Sequence, residues 1–266
     1  MDFNNPRRAA FVLVSTDHGT MIVNRMDVHT MGAGSFGVGH QLLEQSMFDP
    51  AELVNLSDLL GQLRRTRGDG VVVLDCGANI GTHTVSFARL MSGWGSVIAI
   101  EAQERIFYAL AGNITLNNCF NARALNFALS DTDGFMRIPV PNYQLPASFG
   151  SLELRHRPNT EPIGQAISYD DKDMVSINTH RIDTMKLPRV DLIKMDIEGM
   201  EIEALHGARE TLVRCRPVLL VEFLKAGESN IRQLLQTFGY KCSTLPGANL
   251  ICVPESENIM FGPGGE

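Results

Sequence analysis

The segment Val71-Val72-Val73-Leu74-Asp75-Cys76-Gly77-Ala78-Asn79-Ile80-Gly81 restricts the fold more than any other part of the chain. Its apolar, β-branched run reads as a strand buried on both faces, the pattern of a parallel sheet. The run ends in an acid, Asp75, and a glycine-bearing turn follows. Gly77 allows a sharp turn and the approach of a ligand to bare backbone. Gly81 permits close packing of a helix predicted to start near Ile80. The free N–H groups at that helix start suit an anionic or strongly polar ligand. The next apolar run, Ser96-Val97-Ile98-Ala99-Ile100, closes on Glu101. An acid at that distance from a glycine-rich turn suits the two hydroxyls of a ribose. Strand, turn, helix, strand and acid in this order predict a site for a nucleoside-containing cofactor.

The turn also discriminates between cofactors. A dinucleotide site asks for G-x-G-x-x-G after the strand. Here the order is Asp75-x-Gly77-x-Asn79-x-Gly81, with the acid ahead of the first glycine. An acid at the strand end repels a pyrophosphate and suits a cofactor that carries an ammonium and a sulfonium. The turn resembles the first motif of class I S-adenosylmethionine-dependent methyltransferases, D-x-G-x-G-x-G. Asn79 replaces the middle glycine and tolerates left-handed backbone better than most residues.

The rest of the chain alternates in the same sense. Strands are predicted over 71–75, 96–101, 123–128, 190–196 and 217–223. Helices are predicted over 80–92, 104–118, 201–214 and 229–238, and closing strands near 240–245 and 249–253. Alternation implies parallel pairing with right-handed crossovers. Pro246-Gly247-Ala248-Asn249 implies an antiparallel hairpin at one edge. Near the N-terminus, Phe11–Val14 and Thr20–Asn24 flank a glycine-bearing turn and read as a hairpin. Residues 31–40, rich in glycine, read as a flexible loop, and 51–65 as a helix. Between 129 and 189 the alternation fails, because Pro139, Pro141, Pro146, Pro158 and Pro162 exclude a long helix. Phe135–Ile138 and Ser151–Leu154 read as short strands there. Insertions of this length serve as lids or binding loops, and a structural extension of the sheet edge is the second reading.

The bulk properties exclude several classes. A net charge of −7 and a pI near 5.5 argue against a general nucleic-acid binder. No apolar run reaches the roughly 18 residues of a membrane span. The stretch Ala9–Val14 is too short for a signal segment. The five cysteines show no metal-ligand spacing and read as buried thiols in a reducing compartment. A cytoplasmic enzyme with no nucleic-acid or membrane partner is the expectation.

The second informative segment is Asp191-Leu192-Ile193-Lys194-Met195-Asp196-Ile197-Glu198-Gly199-Met200-Glu201. A strand delivers Asp196 and Glu198 to its carboxyl end, where open α/β sheets hold their ligands. Asp75, Glu101, Asp196, Glu198 and Glu222 then gather on one rim. For Glu198 and Glu201 a second reading is that they cap the following helix. Asp75-Cys76-Gly77-Ala78-Asn79-Ile80-Gly81, then Lys194-Met195-Asp196-Ile197-Glu198-Gly199-Met200-Glu201, then Leu205-His206-Gly207-Ala208 together resemble the FkbM-type S-adenosylmethionine-dependent methyltransferases. That family's pattern runs D-x-G-A-N-x-G, K-x-D-x-E-G-x-E and L-x-G-A, and the resemblance covers roughly 71–223.

The resemblance implies an α/β, Rossmann-like class I methyltransferase: a mostly parallel seven-stranded sheet with an antiparallel edge hairpin, an N-terminal extension and a β-rich insertion. The residue pattern and the resemblance together divide the chain into an N-terminal hairpin, loop and helix over 1–70, a methyltransferase domain over 71–256 with its insertion at 129–189, and a flexible tail over 257–266. S-adenosylmethionine would be held by Asp75, Gly77, Ala78, Asn79, Gly81, Thr84, Glu101, Ala102, Ala128, Ser130 and Asp196, and released as S-adenosylhomocysteine. The implied acceptor is a hydroxyl of a sugar, glycan or secondary metabolite. An N-methyltransferase acting on a small molecule, or a nicotinamide-dependent oxidoreductase of similar fold, are the alternatives. A sugar hydroxyl is a poor nucleophile, and a general base contributes typically 10²–10⁴-fold. Asp196 and Glu198, then Glu222, are the catalytic candidates. Crowded acids should raise one another's pKa. Val221-Glu222-Phe223 lacks the Asp-Asn pair of metal-dependent relatives, so no metal ligand is assigned. His40, His83 and His180 stay outside the catalytic set. The aromatics Phe135, Tyr143, Phe149 and Tyr169 of the insertion are expected to stack on the acceptor. The number of subunits is open, a homo-oligomer included.

Overall fold

The computed structural model describes residues 9–257 except Ala33, together with 259 and 261. Most of the tail predicted to be flexible lies outside the described residues. Strands β1 (Phe11–Thr16) and β2 (Gly19–Asn24) form an antiparallel hairpin, and β3 (His29–Met31) and β4 (Gly34–Phe36) a second, shorter one. Helices α1 (Val38–Gln45) and α2 (Pro50–Arg67) lead into the core. There follow β5 (Val71–Cys76), α3 (Thr82–Leu90), β6 (Gly95–Ile100), α4 (Glu104–Leu116) and β7 (Ala122–Leu125). The insertion carries β8 (Ala128–Leu129), β9 (Gly134–Pro139) and β10 (Met174–His180). The chain re-enters the core with β11 (Leu192–Met195), α5 (Glu201–His206), α6 (Arg209–Cys215), β12 (Val218–Glu222), α7 (Glu228–Gln236), β13 (Tyr240–Leu245) and β14 (Asn249–Pro254).

The core sheet has the order β13-β14-β12-β11-β5-β6-β7. It is parallel from β12 to β7, and β14 runs antiparallel to both β12 and β13. This is the expected seven-stranded sheet with its antiparallel edge hairpin. The alternation along β5 explains why both faces need cover. Val71 and Val73 join one apolar cluster with Leu56, Leu60, Phe87 and Leu110. Leu74 and Cys76 join the opposite one with Leu205, Leu212 and Ile231. No helix among the described residues is long and apolar enough to cross a membrane.

Four expectations change. The stretch 31–40 is not a loose loop: it contains β4 and the start of α1. Gly39 is a packing glycine, because a Cβ there would collide with the Asn24 carbonyl oxygen. The single strand expected over 123–128 is β7 plus β8, which join different sheets. Between them the Asn126 amide donates to the carbonyls of Glu101 (2.8 Å) and Ala102 (3.1 Å). The helix expected over 201–214 breaks at Gly207, where a Cβ would collide with the Ser130 carbonyl. Asp183 then starts α6 by accepting the N–H groups of Glu210 (3.0 Å) and Thr211 (2.8 Å). Ser151–Leu154 is not a strand; a 3-10 turn occupies Phe149–Ser151.

The cysteine expectation also changes. Cys242 and Cys252 face each other across β13 and β14 with Cα atoms 4.1 Å apart, and they form a disulfide. Their spacing along the chain resembles no motif; only the hairpin register brings them together.

Gly39→Ala tests the tight packing of the N-terminal region. Overpacking of this kind costs on the order of 2 kcal/mol, so urea unfolding should show a lower midpoint. A mobile loop would accept the methyl group with no change.

Candidate active site

Three parallel strands end together, and their backbones are stitched at that point. The Ile100 carbonyl accepts the N–H groups of Gly77 (2.9 Å) and Ala78 (3.0 Å), and the Cys76 carbonyl accepts that of Asp196 (3.0 Å). Gly77 has φ +80, and a Cβ on it would collide with the Asp196 carbonyl oxygen. The residue is therefore glycine so that β5 and β11 can approach. Asn79 adopts φ +49, and its side-chain oxygen accepts the Ile80 N–H at 2.7 Å, which steadies the left-handed turn. Gly81 lets α3 and α4 meet, since a Cβ would lie 2.6 Å from Leu110.

Asp75 is buried. Its Oδ2 accepts the Thr84 hydroxyl at 2.5 Å, while Oδ1 finds no hydrogen-bond donor among the described residues. Glu101 is buried too. Its two oxygens accept the N–H groups of Asn79 (3.0 Å) and Gln103 (2.7 Å). Burial pushes its carboxyl up to about 7, against the pull of those two N–H bonds.

Asp75, Gly77, Ala78, Asn79, Glu101, Ala102, Ala128 and Asp196 line one cleft, with Glu198 beside them. Three predicted cofactor residues do not line it. Thr84 stands behind Asp75, and Gly81 sits under the helix start. Ser130 faces away: its N–H bonds the His180 carbonyl, and its hydroxyl lies 3.2 Å from Asp131. Walls that no motif announced complete the cleft. Gly37, Val38 and Phe48 come from the N-terminal region, and Ser148, Gly150 and Leu152 from the insertion. Asp27 ties these two walls together, since its carboxylate accepts the N–H groups of Gly39 and Phe149, both at 2.9 Å.

The insertion's aromatics mostly serve packing. Phe149 is fully buried, and the Tyr143 ring lies 4.9 Å from it with its hydroxyl on Gln103 at 3.1 Å. The Tyr169 hydroxyl donates to the Glu153 carbonyl at 2.9 Å. Phe135 is exposed on β9, outside the cleft lining.

At the end of β11 the carboxylates of Asp196, Glu198 and Glu222 lie within 4.8 Å of one another. Two ammonium groups sit on this cluster. Lys225 Nζ is 3.3 Å from Glu198, and Lys194 Nζ is 3.6 Å from Asp196. Burial opposes the charge of Lys194, yet Asp196, Glu52, Asp75 and Glu222 hold it above the usual lysine range. Burial, then Asp196 and Glu222, push the Glu198 carboxyl well above the usual range, with Lys225 opposing. Burial, then Asp196 and Glu201, push Glu222 up to about 8.

The two readings of Glu198 and Glu201 now separate. Glu201 holds the turn, because its Oε1 accepts the N–H groups of Ile197 (3.0 Å) and Gly199 (3.1 Å). Glu198 does not cap α5: no side chain among the described residues does, and Glu198 itself sits at φ +54 in left-handed backbone. Such conformations in non-glycine residues cluster at functional sites. The insertion grips this corner. Arg157 donates to the Gly199 carbonyl, and Glu153 and Glu161 reach Lys225 at 3.6 and 3.2 Å.

A protein-family profile described as the methyltransferase FkbM domain matches residues 75–242. No curated protein matches the sequence. Among solved structures, methyltransferase FkbM from Methylobacillus flagellatus KT is 18% identical with a TM-score of 0.47, over 70% of this chain and 44% of that one. This chain thus spans under half of that relative's length. Precorrin-6y C5,15-methyltransferase from Geobacter metallireducens GS-15 is 13% identical with a TM-score of 0.42, over 78% and 92% of the two chains. A SAM-dependent methyltransferase from Aquifex aeolicus is 14% identical with a TM-score of 0.38, over 77% and 98%.

The buried acids set a pH dependence. A carboxyl whose pKa is raised by folding stabilises the fold below its unfolded value of 4.5, and the contribution is lost as pH rises through the folded value. That value is about 7 for Glu101 and Glu201 and about 8 for Glu222. His18, depressed from 6.5 to about 4 chiefly by burial, acts in the opposite sense, but only below pH 6.5. The melting temperature of the ligand-free chain should therefore fall from pH 6.5 to about 8, and Glu101→Gln should flatten the fall. Calorimetry across that window checks both; a flat or rising melting temperature in the parent chain contradicts the assignment.

Proposed function

The chain belongs to the FkbM methyltransferase family, and from that premise we propose that it transfers a methyl group from S-adenosylmethionine to a hydroxyl of a sugar, glycan or secondary metabolite. The observation that carries the cofactor assignment is Asp75 Oδ1, a buried carboxylate oxygen on the cleft wall with no donor among the described residues. A buried acceptor left unpaired costs free energy that a bound ammonium or N–H would restore. The acid at this strand end disfavours a pyrophosphate for the same electrostatic reason. Glu101 has each oxygen on one N–H, which leaves lone pairs for the ribose hydroxyls. When bound, S-adenosylmethionine supplies an electrophilic methyl group, whose bonding electrons leave on sulfur.

The chain's own residues then have two tasks. The cleft walls hold the donor in one pose, and such positioning supplies several kcal/mol. The cluster of Asp196, Glu198 and Glu222 takes the proton of the acceptor hydroxyl. A base works best when its pKa lies near the operating pH, and burial beside other acids moves Glu198 and Glu222 in that direction. Lys194 and Lys225 supply the compensating positive charge.

Titration calorimetry tests the cofactor assignment directly. The chain should bind S-adenosylmethionine and S-adenosylhomocysteine and ignore NAD. Glu101→Ala removes charge-assisted hydrogen bonds of roughly 1.5–3 kcal/mol, so affinity should fall by about ten- to a hundredfold. NAD binding, or an unchanged Kd in the folded variant, would overturn it.

Glu198→Gln and Glu222→Gln keep shape and remove basicity. At least one should lower kcat by about 10²-fold while leaving cofactor affinity nearly unchanged. If both variants turn over the true acceptor at the parent rate, the acids serve the fold alone.

A further inference from the structure

A second cavity, of about 510 Å³, adjoins the cofactor cleft. The two share Phe48, His83, Lys194 and Asp196 as walls. Glu222 lines the second cavity and not the cleft, whereas Glu198 lines the cleft and not the second cavity. Asp196 therefore stands between two carboxylates that look into different spaces. The outer walls of the second cavity are the first turns of α2 and the β13–β14 turn. No residue of the insertion lines it.

The chemistry of these walls is specific. Asp49, Glu52, Asp196 and Glu222 bring carboxylates, against Lys194 and His83. Glu52 is already engaged, 3.2 Å from His83 Nε2 and 3.1 Å from the Asn249 amide, and Asp196 has Lys194. The local charge is thus negative but partly compensated. It repels an anionic ligand and leaves lone pairs to accept hydroxyl protons. Asn55, whose amide has no partner among the described residues, offers donors as well as an acceptor. Phe48, Pro246 and Phe261 add apolar faces. Hydrogen-bonding carboxylates and amides beside rings suit a ligand with hydroxyls at its edge and C–H groups on its face.

We propose that this cavity is the acceptor subsite and that it takes an uncharged, polyhydroxylated ring. The proposal rests on the methyltransferase reading and moves acceptor recognition away from the 129–189 insertion, which walls the cofactor cleft instead. Asn55 and Asn249 become the specificity-determining positions, because both line the cavity and neither lines the cofactor cleft.

Saturation-transfer NMR on the full chain, with and without S-adenosylhomocysteine, provides the test. The probes are methyl α-D-glucopyranoside, methyl α-D-mannopyranoside, methyl α-L-rhamnopyranoside and, as the anionic comparison, methyl α-D-glucopyranosiduronate. At least one neutral glycoside should show saturation transfer, and the glucuronate should show none. Asn55→Trp and Asn249→Trp fill the cavity and should each cut the glycoside signal by about tenfold, with the S-adenosylhomocysteine Kd within about twofold of the parent value. That unchanged Kd also reports that the variants fold. A glycoside signal that survives both variants, a glucuronate that binds as well as its neutral counterpart, or no neutral signal at all would each overturn the proposal. Failure to bind S-adenosylhomocysteine would instead overturn the cofactor reading, and the glycoside result obtained without it would still decide the cavity.

Discussion

The site depends on how closely the carboxyl ends of β5 and β11 approach. Gly77 makes the approach possible, because any side chain there would run into the Asp196 carbonyl. The hydrogen bonds from Gly77 and Ala78 to Ile100, and from Asp196 to Cys76, then lock three strand ends at one level. Asp75, Glu101 and Asp196 share a rim for that reason alone. Parallel strands carry their connections away on helices, so the rim stays free to receive a ligand.

Gathering so many acids creates an electrostatic problem that the fold answers in three ways. Backbone N–H groups stabilise Glu101 and Glu201. Lys194 and Lys225 place ammonium groups on Asp196 and Glu198. What remains is absorbed by raised pKa values, above all at Glu198 and Glu222. Acids with raised pKa values in a cleft are the groups that general-base chemistry uses. Lys225 also receives Glu153 and Glu161, so the charge balance at the rim is partly set by the insertion.

The N-terminal region and the insertion reach the cleft by a different route. Neither carries the acid-first glycine turn of the core or one of its strand-end acids. Asp27, buried at the end of the first hairpin, accepts N–H groups from Gly39 in α1 and from Phe149 in the insertion. The hairpin itself is held to α4 by Asn113, which exchanges hydrogen bonds with Ile22 (2.5 and 3.2 Å) and reaches the Ile80 carbonyl at 2.7 Å. One asparagine thus connects the N-terminal region to the turn that follows β5.

Local sequence determined the parallel core, the acid-first turn at Asp75 to Gly81 and the chain of strand-end acids, because burial on both strand faces and turn chemistry act between residues a few positions apart. Sequence could not decide which acid does what. Glu198 and Glu201 read alike along the chain, and only the turn geometry made Glu201 the backbone acceptor and left Glu198 facing the cleft. Nor could sequence show that Ser130 turns away, that Phe149 is core, or that Cys242 meets Cys252. Each of those outcomes depends on which distant segment packs alongside. The glycines at 37 and 39 are the sharpest case: by composition they signal mobility, yet in the fold they mark two of its tightest backbone approaches, against Asp27 and Asn24. A glycine's sequence neighbours do not reveal what would strike its missing side chain; tertiary packing alone does.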